Sequence, residues 1–314
     1  MLKIDAKKIA AEVKKRKARL VLLQLPEGLK EKATGLAEAV EKGSKAKAIV
    51  LLDPCFGACD LAEEKAKALG ADLIVHFGHS AFFKPEKETV FVPLNYELGK
   101  AKIGLLAEKI SKKLNENSVK KIALVSTIQF ADLLPIAKKL LKAKGISAFI
   151  EGNGAVLGCR HENALKAARK AEAIVFVGDG LFHPLGVAFA SKKPVFAANP
   201  FSLEVKGLEK EKELFERARI ARIALAGKAK SFGIIVSTKK GQMQMENALK
   251  LKELLERKGK KAFILAMDLV KPDYFLGVKA DCLVNTACPR IVLDDAKNFG
   301  RLIVEADDAR KAFL

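Results

Sequence analysis

Three cysteines, Cys59, Cys159 and Cys288, each follow a short apolar run, and one falls in each third of the chain. Thiolates are soft ligands. Three of them brought to one point suit an iron-sulfur cluster, which normally takes four ligands and would keep one iron open. The competing use of all three is structural, because a buried free cysteine behaves as a small hydrophobe. Cys282, inside the strand-like run Ala280 to Asn285, reads in that second way. Cys55 and Cys59 form a C-x3-C pair in Asp53-Pro-Cys-Phe-Gly-Ala-Cys-Asp60, but the third cysteine of the C-x3-C-x2-C motif is absent, with Ala at 62. A zinc knuckle would want a second close pair or a histidine pair. None follows.

Cys59 precedes a helical pattern from Asp60 to Leu69, and Cys159 precedes one from His161 to Lys170. Both thiols are therefore expected at helix amino termini, where the backbone dipole lowers a thiol pKa. Cys288 lies in a different loop, Asn285-Thr-Ala-Cys-Pro-Arg290, after the third apolar run of its unit. All three belong at the carboxyl ends of parallel strands, the edge where open α/β sheets bind ligands. His76, His79 and His183 also sit at strand ends, placed either to line such a site or to satisfy local hydrogen bonds. Gly152 to Gly158, before Cys159, is a poor dinucleotide fingerprint and reads as a turn. Asp294 and Asp295 read as helix caps before paired catalytic acids.

The elements that must carry these residues repeat three times. Each unit opens with an apolar run ending near a glutamine: Leu20 to Gln24, Ile122 to Gln129 and Gly233 to Gln242. Amphipathic patterns follow at 28–42, 131–144 and 245–258, with Leu133, Leu134, Ala137, Leu140 and Leu141 forming the middle stripe. Second apolar runs lie at 47–52, 146–150 and 261–266, and third runs at 73–77, 173–178 and 281–285. Strand alternating with helix predicts parallel sheets with right-handed crossovers. The fold class is therefore α/β, as three pseudo-symmetric small parallel-sheet domains around a central cluster site. The expected domains are 1–100 with Cys59, 101–205 with Cys159 and 206–314 with Cys288, the charged stretch Lys206 to Lys230 supplying a linking helix.

Composition narrows the setting. No apolar run approaches the ~18 residues that span a bilayer, and Met1 to Arg19 is lysine-rich and amphipathic without a signal-peptide core. Five cysteines, an odd count, fit a reducing, cytoplasmic compartment. The balance of 57 basic against 37 acidic residues raises nucleic acid as a partner. Yet the lysines are spread through every helix and only 6% of residues are aromatic, without tryptophan, so no base-stacking surface emerges. A protein partner suits this field better than sequence-specific nucleic acid. The abundance of Lys and Glu, with glutamine only at 24, 129, 242 and 244, also fits a heat-adapted proteome.

Six motifs in order resemble the archaeal single-subunit family of 2-(3-amino-3-carboxypropyl)histidine synthase, the first enzyme of diphthamide synthesis. They are Gln24-Leu-Pro-Glu-Gly-Leu29, Phe56-Gly-Ala-Cys-Asp60, His76-Phe-Gly-His-Ser80, Leu157-Gly-Cys159, Gly178-Asp-Gly-Leu-Phe-His-Pro184 and Ala287-Cys-Pro-Arg-Ile291. Many members of the family have tyrosine where Phe56 stands. The resemblance implies a homodimer in which Cys59, Cys159 and Cys288 hold a 4Fe-4S cluster and S-adenosylmethionine chelates the open iron. It implies reductive cleavage to a 3-amino-3-carboxypropyl radical that adds to a histidine of elongation factor 2. An electron donor is required, and no catalytic side chain beyond the cluster is implied. Through their motifs, Gln24, Gln129, Asp179, His183 and Arg290 are the residues expected to line the S-adenosylmethionine pocket. The nearest rival is quinolinate synthase, which is similar in giving one cysteine per pseudo-symmetric domain to such a cluster. A non-enzymatic, basic RNA-associated protein with structural or zinc-binding cysteines is the third reading.

Overall fold

A computed structural model describes residues 2–81 and 83–313. The first unit begins with β1 (Leu2–Lys3) and α1 (Ala6–Lys15), then runs β2 (Leu20–Gln24), α2 (Ala33–Ser44), β3 (Lys47–Leu51), α3 (Glu63–Ala68), β4 (Leu73–Phe77), β5 (Thr89–Val92) and β6 (Asn95–Tyr96). The second comprises α4 (Lys100–Glu116), β7 (Lys121–Ser126), α5 (Leu134–Ala143), β8 (Ser147–Phe149), α6 (Glu162–Ala168), β9 (Ala173–Val177), α7 (Phe182–Ala190), β10 (Val195–Ala198) and β11 (Val205–Gly207). The third comprises α8 (Glu209–Lys228), β12 (Ser231–Ser237), α9 (Met245–Arg257), β13 (Lys261–Met267), β14 (Cys282–Asn285), α10 (Arg290–Leu293), β15 (Leu302–Glu305) and α11 (Ala306–Lys311).

The strand orders are β3-β2-β4-β5, β8-β7-β9-β10-β11 and β13-β12-β14-β15. Every neighbouring pair in them is parallel except β10 with β11. Second strand, first strand, third strand, fourth strand is thus one plan used three times. Central strands run as continuous apolar stretches because helices cover both faces: every residue of β4 (LIVHF), β9 (AIVFV) and β14 (CLVN) is buried. On α9 the buried residues Ala248, Leu251 and Leu255 are spaced three and four apart, placing them on one face against the sheet.

The repeat extends to side chains. An acid just before each third strand, Asp72, Glu172 or Asp281, accepts two backbone N–H groups at the entry to the first strand. The donors are Arg19 and Leu20, Lys120 and Lys121, and Lys230 and Ser231, at 2.7–3.0 Å. Each carboxylate pins two strands at their amino ends, so the loops at the opposite ends stay free to carry function.

The expected α/β class with three mostly parallel sheets is the architecture found. Several local expectations need correction. The helix patterns at 28–42 and 131–144 open with 3₁₀ turns, Glu27–Lys32 and Ile128–Leu133, before α2 and α5. The fourth strands of the sheets, β5, β10 and β15, each four residues long, carry too little periodicity to be read from sequence. β11 straddles position 205, so the middle sheet runs past the end expected for its unit. The charged stretch after 206 does form a linking helix, α8. Among the described residues no helix is long and apolar enough to cross a membrane.

Candidate functional site: three cysteines at the sheet edges

The loop after β3 carries Cys55 and Cys59, and its shape is set by Gln24 at the end of β2. Gln24 is 2% exposed. Its Nε2 donates to the Asp60 carbonyl at 2.5 Å, and its Oε1 accepts from Ala62 N–H at 3.1 Å. His76 Nδ1 lies 2.9 Å from the same oxygen, and His76 Nε2 lies 3.0 Å from His79 Nδ1. One buried amide thus ties the cysteine loop to two strand ends.

The third unit grips that loop from the other side. Gly241 N–H donates to the Cys59 carbonyl at 3.1 Å, and Gln242 Nε2 donates to Cys59 Sγ at 3.4 Å. Lys239 Nζ donates to Asp60 Oδ1 at 2.5 Å, with both side chains at most 10% exposed. A Cβ on Gly241 would stand 2.5 Å from Cys59 Cα, so only glycine permits this approach. Lys239 and Gly241 escaped sequence reading, and Asp60 entered it only as the end of a motif: a lysine among 57 basic residues carries no signal. Gln242 stood out only as the third-unit counterpart of Gln24 and Gln129.

In the second unit a tight turn presents Cys159. Leu157 and Arg160 exchange backbone hydrogen bonds at 2.7 and 3.1 Å, leaving Gly158 and Cys159 at the tip, with Cys159 exposed. His183 Nδ1 accepts Gly158 N–H at 3.0 Å, and Gly186 packs so closely on Gly158 that a Cβ would meet its carbonyl at 2.4 Å. Cys288 is held in the third unit by Asn285, whose Nδ2 donates to the Cys288 carbonyl and to Glu305 Oε1, both at 3.0 Å.

The expectation that helix dipoles depress the thiol pKa values is overturned. α3 and α6 start at Glu63 and Glu162, several residues beyond Cys59 and Cys159, and neither reaches eight residues. Desolvation by the surrounding loops, partial at the solvent-facing Cys159, instead pushes the Cys59 and Cys159 thiols up and that of Cys288 to about 12. After desolvation, mutual repulsion contributes. Cys159 feels Cys59, and Cys288 feels both Cys59 and Cys159. Charge on these three sulfurs is therefore disfavoured unless a cation is shared among them. That is the donor set of a cationic cluster core, and the three residues fit the group.

Of the five residues named from the motifs, Gln24, His183 and Arg290 touch or adjoin the cysteine-bearing loops, and Gln129 reaches the turn after β4. Gln24 holds the Cys59 loop, and Gln129 donates to the Gly78 carbonyl at 2.8 Å, beside His79. His183 touches the Cys159 turn and is held neutral, near 4, by burial and then by the Arg290 guanidinium. Arg290 pairs with Asp294 at 2.8 Å and lies over the Phe182 ring at 4.8 Å. Asp179 stands apart: it accepts from Asn199 at 2.8 Å and lines a separate recess of about 230 Å³ with Glu204 and Lys206. Asp295 occupies the cap position of the 3₁₀ turn Ala296–Phe299 without a side-chain cap bond, and Asp294 serves Arg290 instead. A larger cavity of about 580 Å³ opens beside Cys159, walled by Asn285, Glu305, Asp308 and Arg219; none of the five lines it.

Three repeated, mostly parallel sheets that each offer one cysteine from the loops at their strand ends define the class as α/β protein, with a donor set suited to a metal cluster. The family is specific. Residues 25–313 match the model of the putative diphthamide synthesis proteins, and the chain belongs to that family. It is 36% identical over 302 residues to the 2-(3-amino-3-carboxypropyl)histidine synthase of Pyrococcus horikoshii, covering 93% of this chain and 85% of that one. The Methanocaldococcus jannaschii protein of the same name is 35% identical over 287 residues, 88% of this chain and 78% of its own. The crystal structure of Dph2 from Pyrococcus horikoshii with a 4Fe-4S cluster superposes with a TM-score of 0.89 at 32% identity, covering 99% of this chain and 91% of that one.

Proposed function

We propose that this protein transfers the 3-amino-3-carboxypropyl group of S-adenosylmethionine to a histidine of elongation factor 2, the first step of diphthamide synthesis. The observation that carries the reading is the convergence of Cys59, Cys159 and Cys288, one thiol from each sheet, close enough for Cys288 to feel the other two. These three would hold a 4Fe-4S cluster, which when bound supplies the electron that breaks the bond from sulfur to the methionine γ carbon.

The chain's own residues supply position and protection. Gln242 donates to Cys59 Sγ, a bond that favours the thiolate. Gln24, Gln129, His183 and Arg290 line the S-adenosylmethionine pocket. Arg290, two residues beyond Cys288, is the cation for the substrate carboxylate, a planar donor suited to bidentate pairing. His183 is kept neutral, so it accepts Gly158 N–H and holds the Cys159 turn without adding charge. Asp179 enters through the Gly178–Gly180 loop that it braces beside α7. The proposal includes three domains, with boundaries near residue 100 and just past β11, a homodimer, a separate electron donor and a cytoplasmic setting.

The test is an anaerobic reaction of reconstituted protein with dithionite, S-adenosylmethionine and elongation factor 2 from the same source. One aminocarboxypropyl group added to the partner, with methylthioadenosine released, is the expected result. A cluster-loaded, S-adenosylmethionine-binding protein that yields no adduct overturns the transferase reading.

A further inference from the structure

A second set of donors converges beside the three-cysteine centre, and the proposed reaction leaves it unused. Cys55, from the loop after β3, and His76 and His79, from the end of β4 and the turn beyond it, each bring one ligand atom to within 4.8 Å of the others. Cys55 is 4% exposed and His76 fully buried.

The hydrogen bonds assign the lone pairs. Gln24 Oε1 accepts from the Ala62 N–H while Gln24 Nε2 donates to the Asp60 carbonyl, which fixes the orientation of the amide. His76 Nδ1, facing that oxygen at 2.9 Å, therefore carries the ring proton, and burial keeps the ring neutral, near 3. The Nε2 lone pair of His76 is left pointing at His79 Nδ1, 3.0 Å away. His79 is also held neutral by burial, and its ring hydrogen-bonds the Phe77 carbonyl as well. The Cys55 sulfur lies against these rings. Burial pushes its thiol to about 12, although the Gly57 N–H and the Lys239 ammonium both favour its thiolate.

We propose that Cys55, His76 and His79 form a mononuclear site for a borderline divalent cation of the zinc class, with its fourth position open to water. A cation takes the Nε2 lone pair of His76 and, once the His79 proton shifts to its other ring nitrogen, the lone pair of His79, and it compensates a buried thiolate; binding releases the thiol proton to solvent. One sulfur and two imidazole donors select zinc, cobalt or ferrous ions over magnesium or calcium. The bond from His76 Nδ1–H to a carbonyl oxygen is the orienting contact that metal-ligating histidines usually make. The site would fasten the loop bearing Cys59 to the end of β4.

This proposal is independent of the cluster, and its experiment is built to show that. The full-length Cys59→Ser/Cys159→Ser/Cys288→Ser variant, which cannot hold the three-thiolate cluster, is titrated anaerobically with cobalt(II). Expected is one cobalt per chain, with a near-ultraviolet thiolate-to-cobalt band and the intense visible bands of tetrahedral geometry. Adding Cys55→Ser should abolish the thiolate band, and adding His79→Gln should weaken binding at least about tenfold, roughly 1.4 kcal/mol. Far-ultraviolet circular dichroism checks that each variant is folded, and zinc should raise Tm in the triple variant but not after Cys55→Ser. A triple variant that takes up no cobalt with a thiolate band overturns the site, as does a band that survives Cys55→Ser. Iron and sulfide content of the reconstituted wild type reads the three-cysteine centre separately.

Discussion

The ion pair between Lys239 and Asp60 offers the sharpest perturbation, because it joins residues 179 apart in sequence and closes the third unit over the Cys59 loop. The two side chains are 8% and 10% exposed and meet at 2.5 Å. The second contact of Lys239, to Asp268 at 3.5 Å, reaches a side chain that is 55% exposed and adds about 0–1 kcal/mol. Lys239→Met leaves Asp60 buried without its counter-ion, and removing one partner of a buried pair costs about 3–5 kcal/mol. Asp60→Asn keeps the shape and most hydrogen bonds, so its loss should be smaller. In the double variant no charge is stranded, and a coupling of at least about 2 kcal/mol should appear.

At roughly 2 cal/mol/K per residue, a loss of this size in Lys239→Met lowers Tm by about 5–8 °C for a cooperatively unfolding chain of this length. The loss should also grow with pH. Burial already raises the Asp60 pKa against the opposing effect of Lys239, so without the lysine it rises further. A carboxyl whose folded pKa exceeds its unfolded value loses stability as pH climbs through that range. Thermal melts of wild type, both single variants and the double variant, at about pH 5 and about pH 8, decide the matter. Additive single losses, or less than about 1 kcal/mol for Lys239→Met at the higher pH, would refute a buried, coupled pair.

Three further outcomes are expected. Alanine at Cys59, Cys159 or Cys288 should each abolish or strongly deplete the iron-sulfur content of reconstituted protein, whereas Cys55→Ala should retain it; iron and sulfide analysis with the visible spectrum checks this. Gly241→Ala, whose Cβ would stand 2.5 Å from the Cys59 backbone, should lower Tm and cluster content together through a displacement costing about 1–3 kcal/mol. Glu305, raised to about 8 by burial against the help of Asn285, with Asp308, Asp307 and Arg222 nearby, should make the protein less stable as pH rises from about 4.5 to about 8. Glu305→Gln should flatten that slope in pH-dependent melts, and an unchanged slope would assign it to another group.

Much of the molecule was legible in the order of its residues. Continuous apolar runs such as LIVHF and AIVFV mark strands buried on both faces, and the three-and-four spacing of Ala248, Leu251 and Leu255 marks a helix covering them. Both signals are local, so period and length suffice. The threefold repeat, the cysteine in each third and the family motifs were equally local. Where propensity was divided or the element short, reading failed: the 3₁₀ openings of α2 and α5, and the four-residue strands β5, β10 and β15.

Tertiary structure alone decided the electrostatics of the site. The sequence places Cys59 and Cys159 ahead of helical patterns, from which lowered thiol pKa values follow; the folded chain partly desolvates them and sets them against each other, and desolvation dominates. Nothing local to Lys239 or Gly241 announces contact with Asp60 and Cys59, because that contact exists only once the third sheet has docked against the first. The same holds for Cys55, His76 and His79, separated in sequence and converged in space. A pattern read along the chain reports which face of an element is buried. Desolvation and pairing between distant elements depend on how those faces meet, and only the packed molecule sets that.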